Sequence, residues 1–217
     1  MPTAYTPPQS ILRKYAEVLV NFALNSGKGV KKGEVVECAV PDVAKVLALE
    51  LQNVILEAGA HPMIRLIPTE FEKDFFQRAS TEQLTFFPAS YLRAKSKIID
   101  HQIGIIAQVD PQELAGVDPK KIFLSRDSKN KYREWLFQKE YEGKFTWTIG
   151  LWGEPAKAKI VGLSLEDYWQ QIIAACFLDQ PDPVAHWKEI ATMQKSIRTK
   201  LNDLEISSLH IQGEDVD

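Results

Sequence analysis

The segment from residue 35 to residue 67 reads VVECAVPDVAKVLALELQNVILEAGAHPMIRLI, and it contains the plan of the fold. Residues 35–40 are rich in β-branched side chains, which is typical of a buried strand, and the run stops at Pro41. Residues 43–58 place apolar side chains at helical spacing and end at Gly59. A second apolar run, residues 63–67, follows at once. The segment therefore predicts a β-α-β unit.

The same alternation of strand and helix continues on both sides of this unit. Further strands are predicted at residues 103–107 and 145–152, and residues 206–211 are compatible with a final one. Helices are predicted over residues 11–23, 80–98 and 118–144, with two more opening at Ser164 and Asp182. Strands separated by helices favour an α/β fold, a three-layer open sandwich whose mainly parallel sheet is covered by helices on both faces. Because no repeat, low-complexity tract or flexible linker interrupts the pattern, we expect residues 1–217 to form a single domain.

Composition excludes several classes of function. Hydrophobic residues make up 45% of the 217 residues, which is ordinary for a globular protein, so disorder and fibrous structure are excluded. The 26 basic and 29 acidic residues leave a net charge of −3, which gives no general reason to bind nucleic acid or anionic lipid. No apolar run approaches the roughly 20 residues of a membrane-spanning helix, and the N-terminus lacks the pattern of a secretory signal. We therefore expect no nucleic-acid or membrane partner and a cytoplasmic location.

Cysteine and glycine features favour structural roles. Cys38 and Cys176 both lie in apolar surroundings, and the sequence predicts buried free thiols at both positions. The Gly-rich loop at residues 27–33 could in principle cradle a phosphate, but it lies between a helix and a strand. A phosphate-binding loop requires the reverse order, so a plain connecting turn is the favoured interpretation.

No catalytic, cofactor-binding or metal-ligating residue can be named from the motifs. None of the four histidines, His61, His101, His186 and His210, stands at a recognised metal-ligand spacing from another ligand. The single His-x-x-Glu at His186 and Glu189 would be needed twice in a helical carboxylate site. A nucleophile elbow and a cysteine-protease signature are also absent from the sequence.

Two tryptophans are the candidate cleft-lining residues. Trp147 and Trp152 lie in the strand predicted at residues 145–152, and open α/β sheets bind ligands near the carboxyl ends of their strands. Five residues separate the two side chains, so a regular strand directs them to opposite faces. Burial of Trp147 in the core is the favoured alternative for that residue, since aromatic side chains dominate core packing. The hypothesis to be tested is that Trp152 faces a substrate cleft.

Four segments carry a resemblance to a known family. They are Ala58-Gly59-Ala60 before a strand, Leu114-Ala115-Gly116-Val117-Asp118-Pro119, Trp147-Thr148-Ile149, and the helix start Asp182-Pro183-Val184-Ala185-His186-Trp187. In this order the chain resembles the N-terminal half of the thermophilic-type metallo-aminopeptidases of peptidase family M29. It departs from the family at Thr146, where a proline is common, and at Ala156-Lys157-Ala158, where the family has Ala-Trp-Ala.

The resemblance implies a function for an intact enzyme and a limited role for these residues. Family members are about twice as long, and their second half holds two divalent metal ions, zinc or cobalt, and acts on peptides, with a homodimer expected. Their metal ligands have no matching position here, so the resemblance implies an accessory N-terminal domain, residues 1–217, that shapes substrate access and is inactive alone. The alternative from another class is a free-standing α/β module that binds a small molecule or a partner without catalysis.

Overall fold

The computed structural model describes residues 5–216 and contains four strands and ten α-helices within that range. The strands are β1 (Val35–Pro41), β2 (His61–Ile67), β3 (His101–Ile106) and β4 (Thr146–Leu151). The helices are α1 (Gln9–Asn21), α2 (Lys45–Glu57), α3 (Glu72–Arg78), α4 (Thr81–Thr85), α5 (Ala89–Ile98), α6 (Pro119–Asp127), α7 (Asn130–Tyr141), α8 (Pro155–Ile160), α9 (Leu165–Ala175) and α10 (Pro183–Asn202). The four firmly predicted strands are all confirmed.

The sheet is parallel throughout and runs in the order β2-β1-β3-β4. From β1 the chain passes to β2 on one side and then crosses to β3 on the other side. The junction of β1 and β3 is therefore the point at which the strand order reverses, and ligands of open α/β sheets bind outside the carboxyl ends of strands at such a point.

Helices lie on both faces of the sheet, as the sequence predicts. On the first face, Val36, Cys38 and Ile103 pack with α1 and α2 in the main core. On the second face a smaller cluster joins Ile99, Leu136 and Phe145, with Val35 of β1 and Tyr132 of α7 packed against it. The main core is the larger of the two, so the first face supplies most of the buried apolar area. The second face is covered mainly toward the amino ends of the strands.

Three predicted elements differ in detail from those observed. The helix predicted over residues 118–144 is divided into α6 and α7 by a turn at Ser128, whose hydroxyl donates to the carbonyl of Ser125 at 2.9 Å. The helix predicted over 80–98 is broken before Pro88, since the residue preceding a proline avoids helical backbone angles. Residues 206–211 form no strand, and only an isolated bridge between Gly213 and Val216 follows.

Candidate functional site

A crevice opens at the carboxyl edge of the sheet, where β1, β2 and β3 end. Its volume is about 330 Å³, and its floor is formed by Pro41, Ile67 and Ala107, one from the end of each strand. This is the position at which the strand order reverses, and it is where the topology favours ligand binding. We call this cavity the edge crevice.

Carboxylates dominate the polar rim of the edge crevice. Residues Glu70, Glu72, Asp110 and Glu113 line it, and its lining contains no lysine or arginine among the described residues. Glu113 is already engaged, because its Oε1 accepts the backbone N–H of Glu72 at 2.9 Å at the start of α3. Glu70 sits in the left-handed region at φ 63°. A rim of this composition favours a cationic or amine ligand over an anion.

The second face of the sheet exposes apolar side chains beyond the part covered by α5 and α7. Ile106, Trp147 and Ile149 are each about half exposed, and Gly104 lies beside Ile149 in the register of β3 with β4. Paired residues of neighbouring parallel strands share a face, so these four residues form one surface, which we call the β3–β4 patch.

Trp147 and Trp152 lie on opposite sides of the sheet, as their spacing predicts. Trp147 is 50% exposed in the β3–β4 patch, and its indole N–H donates to Glu140 Oε1 of α7 at 3.2 Å. Trp152 is 5% exposed and packs edge-on against Trp169 at 4.9 Å between ring centroids. In this structure Trp152 is thus a core residue and Trp147 is the accessible one, the reverse of the favoured assignment. That either residue lines a substrate cleft stays a prediction.

An ion-pair cluster around the buried carboxylate of Glu37 supports the second face. The carboxylate of Glu37, on the central strand β1, lies 2.5 Å from Lys95 Nζ and 3.3 Å from Arg65 Nε, and Gln102 donates to it at 3.3 Å. Burial, together with the nearby charge of Glu37, raises the pKa of Tyr132 to about 12. Both carboxylate oxygens of Glu37 have polar partners, and we assign the cluster to holding α5 on the sheet. A glutamate inside an apolar central strand was the sequence signal for such a cluster.

A second polar group ties the amino edge of the sheet. His101 is buried at the start of β3, where its Nδ1 contacts the hydroxyl of Thr146 and its Nε2 contacts Glu34 Oε2, both at 2.8 Å. Burial of Glu34 would raise its pKa, but hydrogen bonds from His101 and the Lys31 amide outweigh that effect and hold the pKa of Glu34 below its usual range. Both ring nitrogens of His101 are engaged, so this histidine has no lone pair to offer a metal.

The other residues singled out in the sequence are not brought together. His186 lies 3.9 Å from Glu189 on α10, and no group of three or more His, Cys, Asp or Glu side chains within residues 5–216 is arranged to hold a metal ion. Cys38 is buried as expected and Cys176 only partly so, and both are free thiols. Gly29 belongs to a connecting turn: a side chain there would lie 2.5 Å from the backbone oxygen of Asn21.

No helix within residues 5–216 combines the length and the apolar character needed to cross a bilayer. This finding concerns the described part of the chain only.

The chain is similar to curated aminopeptidases over most of its length. It is 23% identical to Aminopeptidase PepS of Streptococcus thermophilus over 211 residues, which is 92% of this chain and 50% of that protein. Over a shorter stretch of 114 residues the chain is 30% identical to Aminopeptidase T of Thermus aquaticus. This stretch covers 50% of this chain and 28% of that protein. The chain spans about half the length of the curated relatives that it matches end to end.

A solved structure shares the fold. Wild-type AmpT from Thermus thermophilus superposes with a TM-score of 0.65 at 22% identity, covering 82% of this chain and 45% of that chain. The family model described as thermophilic metalloprotease (M29) matches residues 8–217, which is nearly the whole sequence. The chain therefore belongs to the thermophilic metalloprotease (M29) family.

Proposed function

We propose that these 217 residues form the accessory domain of a metal-dependent aminopeptidase, one that shapes how peptides reach a catalytic site outside them. The intact enzyme would release N-terminal amino acids from peptides, use two divalent ions such as zinc or cobalt, act in the cytoplasm and work as a homodimer. The observation that carries this proposal is the family match over residues 8–217, in a chain spanning about half the length of aminopeptidase relatives.

The donor groups of the described residues do not fit a two-metal site. Such a site needs several carboxylate and imidazole ligands converging within about 2–2.5 Å of each ion. Here His101 is saturated by Glu34 and Thr146, and no cluster of three donors exists within residues 5–216. We therefore derive no step of hydrolysis from these residues and assign them to substrate access.

The β3–β4 patch is the surface that we assign to peptide contact. A half-exposed indole beside Ile106 and Ile149 offers apolar area to peptide side chains, and Glu140, which holds the Trp147 indole, adds a carboxylate at its border. The acidic rim of the edge crevice would attract the free amine that an aminopeptidase substrate must carry. Apolar contact area and attraction to an amine are what a surface needs to guide such peptides.

The first experiment tests whether the residues described can catalyse alone. The purified 217-residue chain is assayed with a leucyl chromogenic substrate after addition of zinc or cobalt, and its metal content is measured after dialysis. We expect no turnover and no stoichiometric metal. Turnover that is lost on chelation, together with about two bound ions per chain, would overturn the accessory role.

The second experiment tests the access role in a polypeptide that carries both this chain and the region corresponding to the rest of the relatives. Trp147→Ala should raise KM for longer peptides more than for dipeptides, with metal content unchanged, because only contact remote from the cleaved bond is lost. Trp135→Ala is the matched control, since Trp135 lies on another side of α7 against Phe87 and Arg93. Equal effects of the two variants, or none, would remove the β3–β4 patch from substrate access.

The alternative is a free-standing module that binds a small molecule in the edge crevice without catalysis. The volume of about 330 Å³ at the reversal of strand order favours it, because this is the usual ligand position of open α/β sheets. Amide shifts measured by NMR during titration with small amines separate the two proposals. Saturable shifts confined to residues 67–72 and 107–114 would favour the module, whereas shifts on β4 with peptides alone would favour the access role.

A further inference from the structure

A groove lies between α10 and the turn that follows α1. Its volume is about 530 Å³, and its lining includes Ser26 and Gly27 of the turn. Phe22 also lines it and ties the two walls together, because its ring stacks on Trp187 of α10 with centroids 5.7 Å apart. The Trp187 indole donates to the Cys176 carbonyl at 3.2 Å and so holds α10 on the domain. We call this cavity the α10 groove.

Three cationic side chains of α10 line the α10 groove, and they are Lys188, Lys195 and Arg198. At about 100° and 1.5 Å per residue, the three fall within about 80° of one another around the helix and span about 15 Å along its axis. None of them forms a salt bridge with another residue of the range 5–216. No aspartate or glutamate of that part of the chain lines the groove. The α10 groove therefore concentrates unpaired positive charge at a concave surface.

The positive charge of the α10 groove contrasts with the composition of the chain, whose net charge is −3. The one carboxylate in the α10 sequence, Glu189, lies about 100° round the helix from Lys188 and meets His186 at 3.9 Å. It does not line the groove. Lys195 and Arg198 are three residues apart, and like charges that are neighbours on a helix surface repel each other. A bound anion would offset this repulsion.

The opposite wall of the groove has an uncommon backbone conformation. Asn25 and Ser26 both have φ 55°, in the left-handed region that residues other than glycine rarely adopt. Two contacts fix this turn, since the Asn25 amide donates to the Thr146 hydroxyl at 3.0 Å and the Asn25 side chain donates to the Gly29 carbonyl at 3.2 Å. Strained backbone of this kind clusters at binding sites. The turn places Ser26, whose hydroxyl can donate, in the same lining as the cations.

We infer that the α10 groove binds a small organic molecule that carries a phosphate group. A phosphate monoester has roughly 1.5 to 2 negative charges near pH 7 and three acceptor oxygens. Arginine binds such a group through two parallel N–H donors, and lysine adds a point charge. A carboxylate offers a single charge and would leave most of this positive charge unpaired. The volume of the groove is within the range of small-molecule sites, and Phe22 and Ala191 add apolar surface for the organic part.

A polynucleotide fits the α10 groove less well than a small molecule does. Three cations along about 15 Å of helix neutralise only a short stretch of phosphate backbone. The chain as a whole is acidic, with a net charge of −3, and would repel a long polyanion. The inference does not rest on the aminopeptidase assignment, because it uses only the residues that line this groove.

Titration of the 217-residue chain with adenosine monophosphate (AMP) tests the inference. Amide shifts measured by NMR should saturate with a Kd between roughly 10 µM and 1 mM, and they should be confined to residues 22–28 and 187–199, which contain the groove lining. Adenosine lacks the phosphate, and inorganic phosphate lacks the organic part. Each should therefore bind at least about tenfold more weakly than AMP.

Charge-neutralising substitutions provide the second arm of the test. Lys195→Gln and Arg198→Gln should each weaken AMP binding at least about tenfold, because each removes a charge-assisted hydrogen bond. Lys200→Gln is the matched control, since it removes the same charge from α10 at a position at least about 120° round the helix from each cation of the groove. This control should bind AMP like the unmodified chain. All three variants should keep the circular dichroism of the unmodified chain.

Four results would overturn the inference. The first is the absence of saturable shifts up to roughly 10 mM AMP. The second is an equal loss of affinity in Lys195→Gln, Arg198→Gln and Lys200→Gln, because AMP would then respond to net charge alone. The third is inorganic phosphate that binds as tightly as AMP, since the organic part would then contribute nothing. The fourth is a short single-stranded oligonucleotide that binds at least about tenfold tighter than AMP, because the groove would then belong to a nucleic-acid surface.

Discussion

The two tryptophans at the ends of β4 should differ sharply in their contribution to stability. Trp152 is 5% exposed, belongs to the main core and packs on Trp169, whereas Trp147 is half exposed in the β3–β4 patch. The perturbation is Trp152→Ala compared with Trp147→Ala. Both substitutions remove the same indole atoms, at opposite ends of β4. Any difference in stability between the two variants therefore reports the surroundings of each side chain.

Burial sets the expected magnitudes. A fully buried indole removes about 150–250 Å² from water, which at about 25 cal/mol per Å² is about 4–6 kcal/mol as an upper estimate. Tryptophan truncations in cores cost about 3–5 kcal/mol, and Trp152→Ala should fall in that range. Trp147 buries about half as much and leaves no enclosed cavity. Its hydrogen bond to Glu140 is exposed, so Trp147→Ala should cost about 1–2 kcal/mol.

Equilibrium unfolding in urea measures the difference. Both variants should unfold in one transition with unchanged m-values, and the free energy of unfolding should fall at least about 1 kcal/mol further for Trp152→Ala. Equal losses, or a larger loss for Trp147→Ala, would refute the assignment of Trp152 to the core. The β3–β4 patch would then also lose its defining accessible residue.

Three further outcomes follow from individual contacts. Burial and a nearby carboxylate raise the pKa of Cys38 to about 12, so in the native chain a thiol reagent at pH 8 should modify the less buried Cys176 first and reach Cys38 only after denaturation. The pKa of Glu34 is lowered in the folded state, so its contribution to stability is complete above its unfolded pKa of about 4.3. That contribution is lost as pH falls through the lower folded value. In urea titrations between about pH 2 and pH 7, Glu34→Gln should therefore reduce the loss of unfolding free energy at acid pH. A Cβ at Gly153 would lie 2.7 Å from a core indole nitrogen, so Gly153→Ala should cost about 1–3 kcal/mol, whereas Gly104→Ala, with open space around it, should cost less than about 1 kcal/mol by the same measurement.

The strands and their order of appearance could be predicted because each is a short apolar run flanked by helical spacing. For residues 35–40 and 103–107, the apolar pattern alone was enough to predict a strand. Helix ends were harder, because they depend on local competition for hydrogen bonds. The break between α6 and α7 falls at a turn in which the hydroxyl of Ser128 bonds to the carbonyl of Ser125, and apolar periodicity alone does not reveal this turn.

The functional surfaces were less predictable, since they depend on the order of strands rather than on neighbours in sequence. Spacing alone placed Trp147 and Trp152 on opposite faces, but which of the two is buried is decided by Trp169, from a helix near the end of the chain. The edge crevice is formed by three strand ends far apart in sequence. The proposed activity comes from the family resemblance, since no motif in the residues themselves indicates it.

The two ends of the parallel sheet have different roles, and the distribution of polar contacts supports this view. All strand amino ends lie at one edge. There Asp100 accepts the Val35 amide at 2.9 Å and Thr146 accepts that of Asn25 at 3.0 Å, beside buried His101 and its partner Glu34. Polar groups there are used to join strands, so substitutions at that edge should mainly change the free energy of unfolding. At the carboxyl edge the edge crevice keeps polar and apolar groups accessible. Substitutions at the carboxyl edge should therefore change ligand binding and lower the free energy of unfolding less than substitutions at the amino edge do.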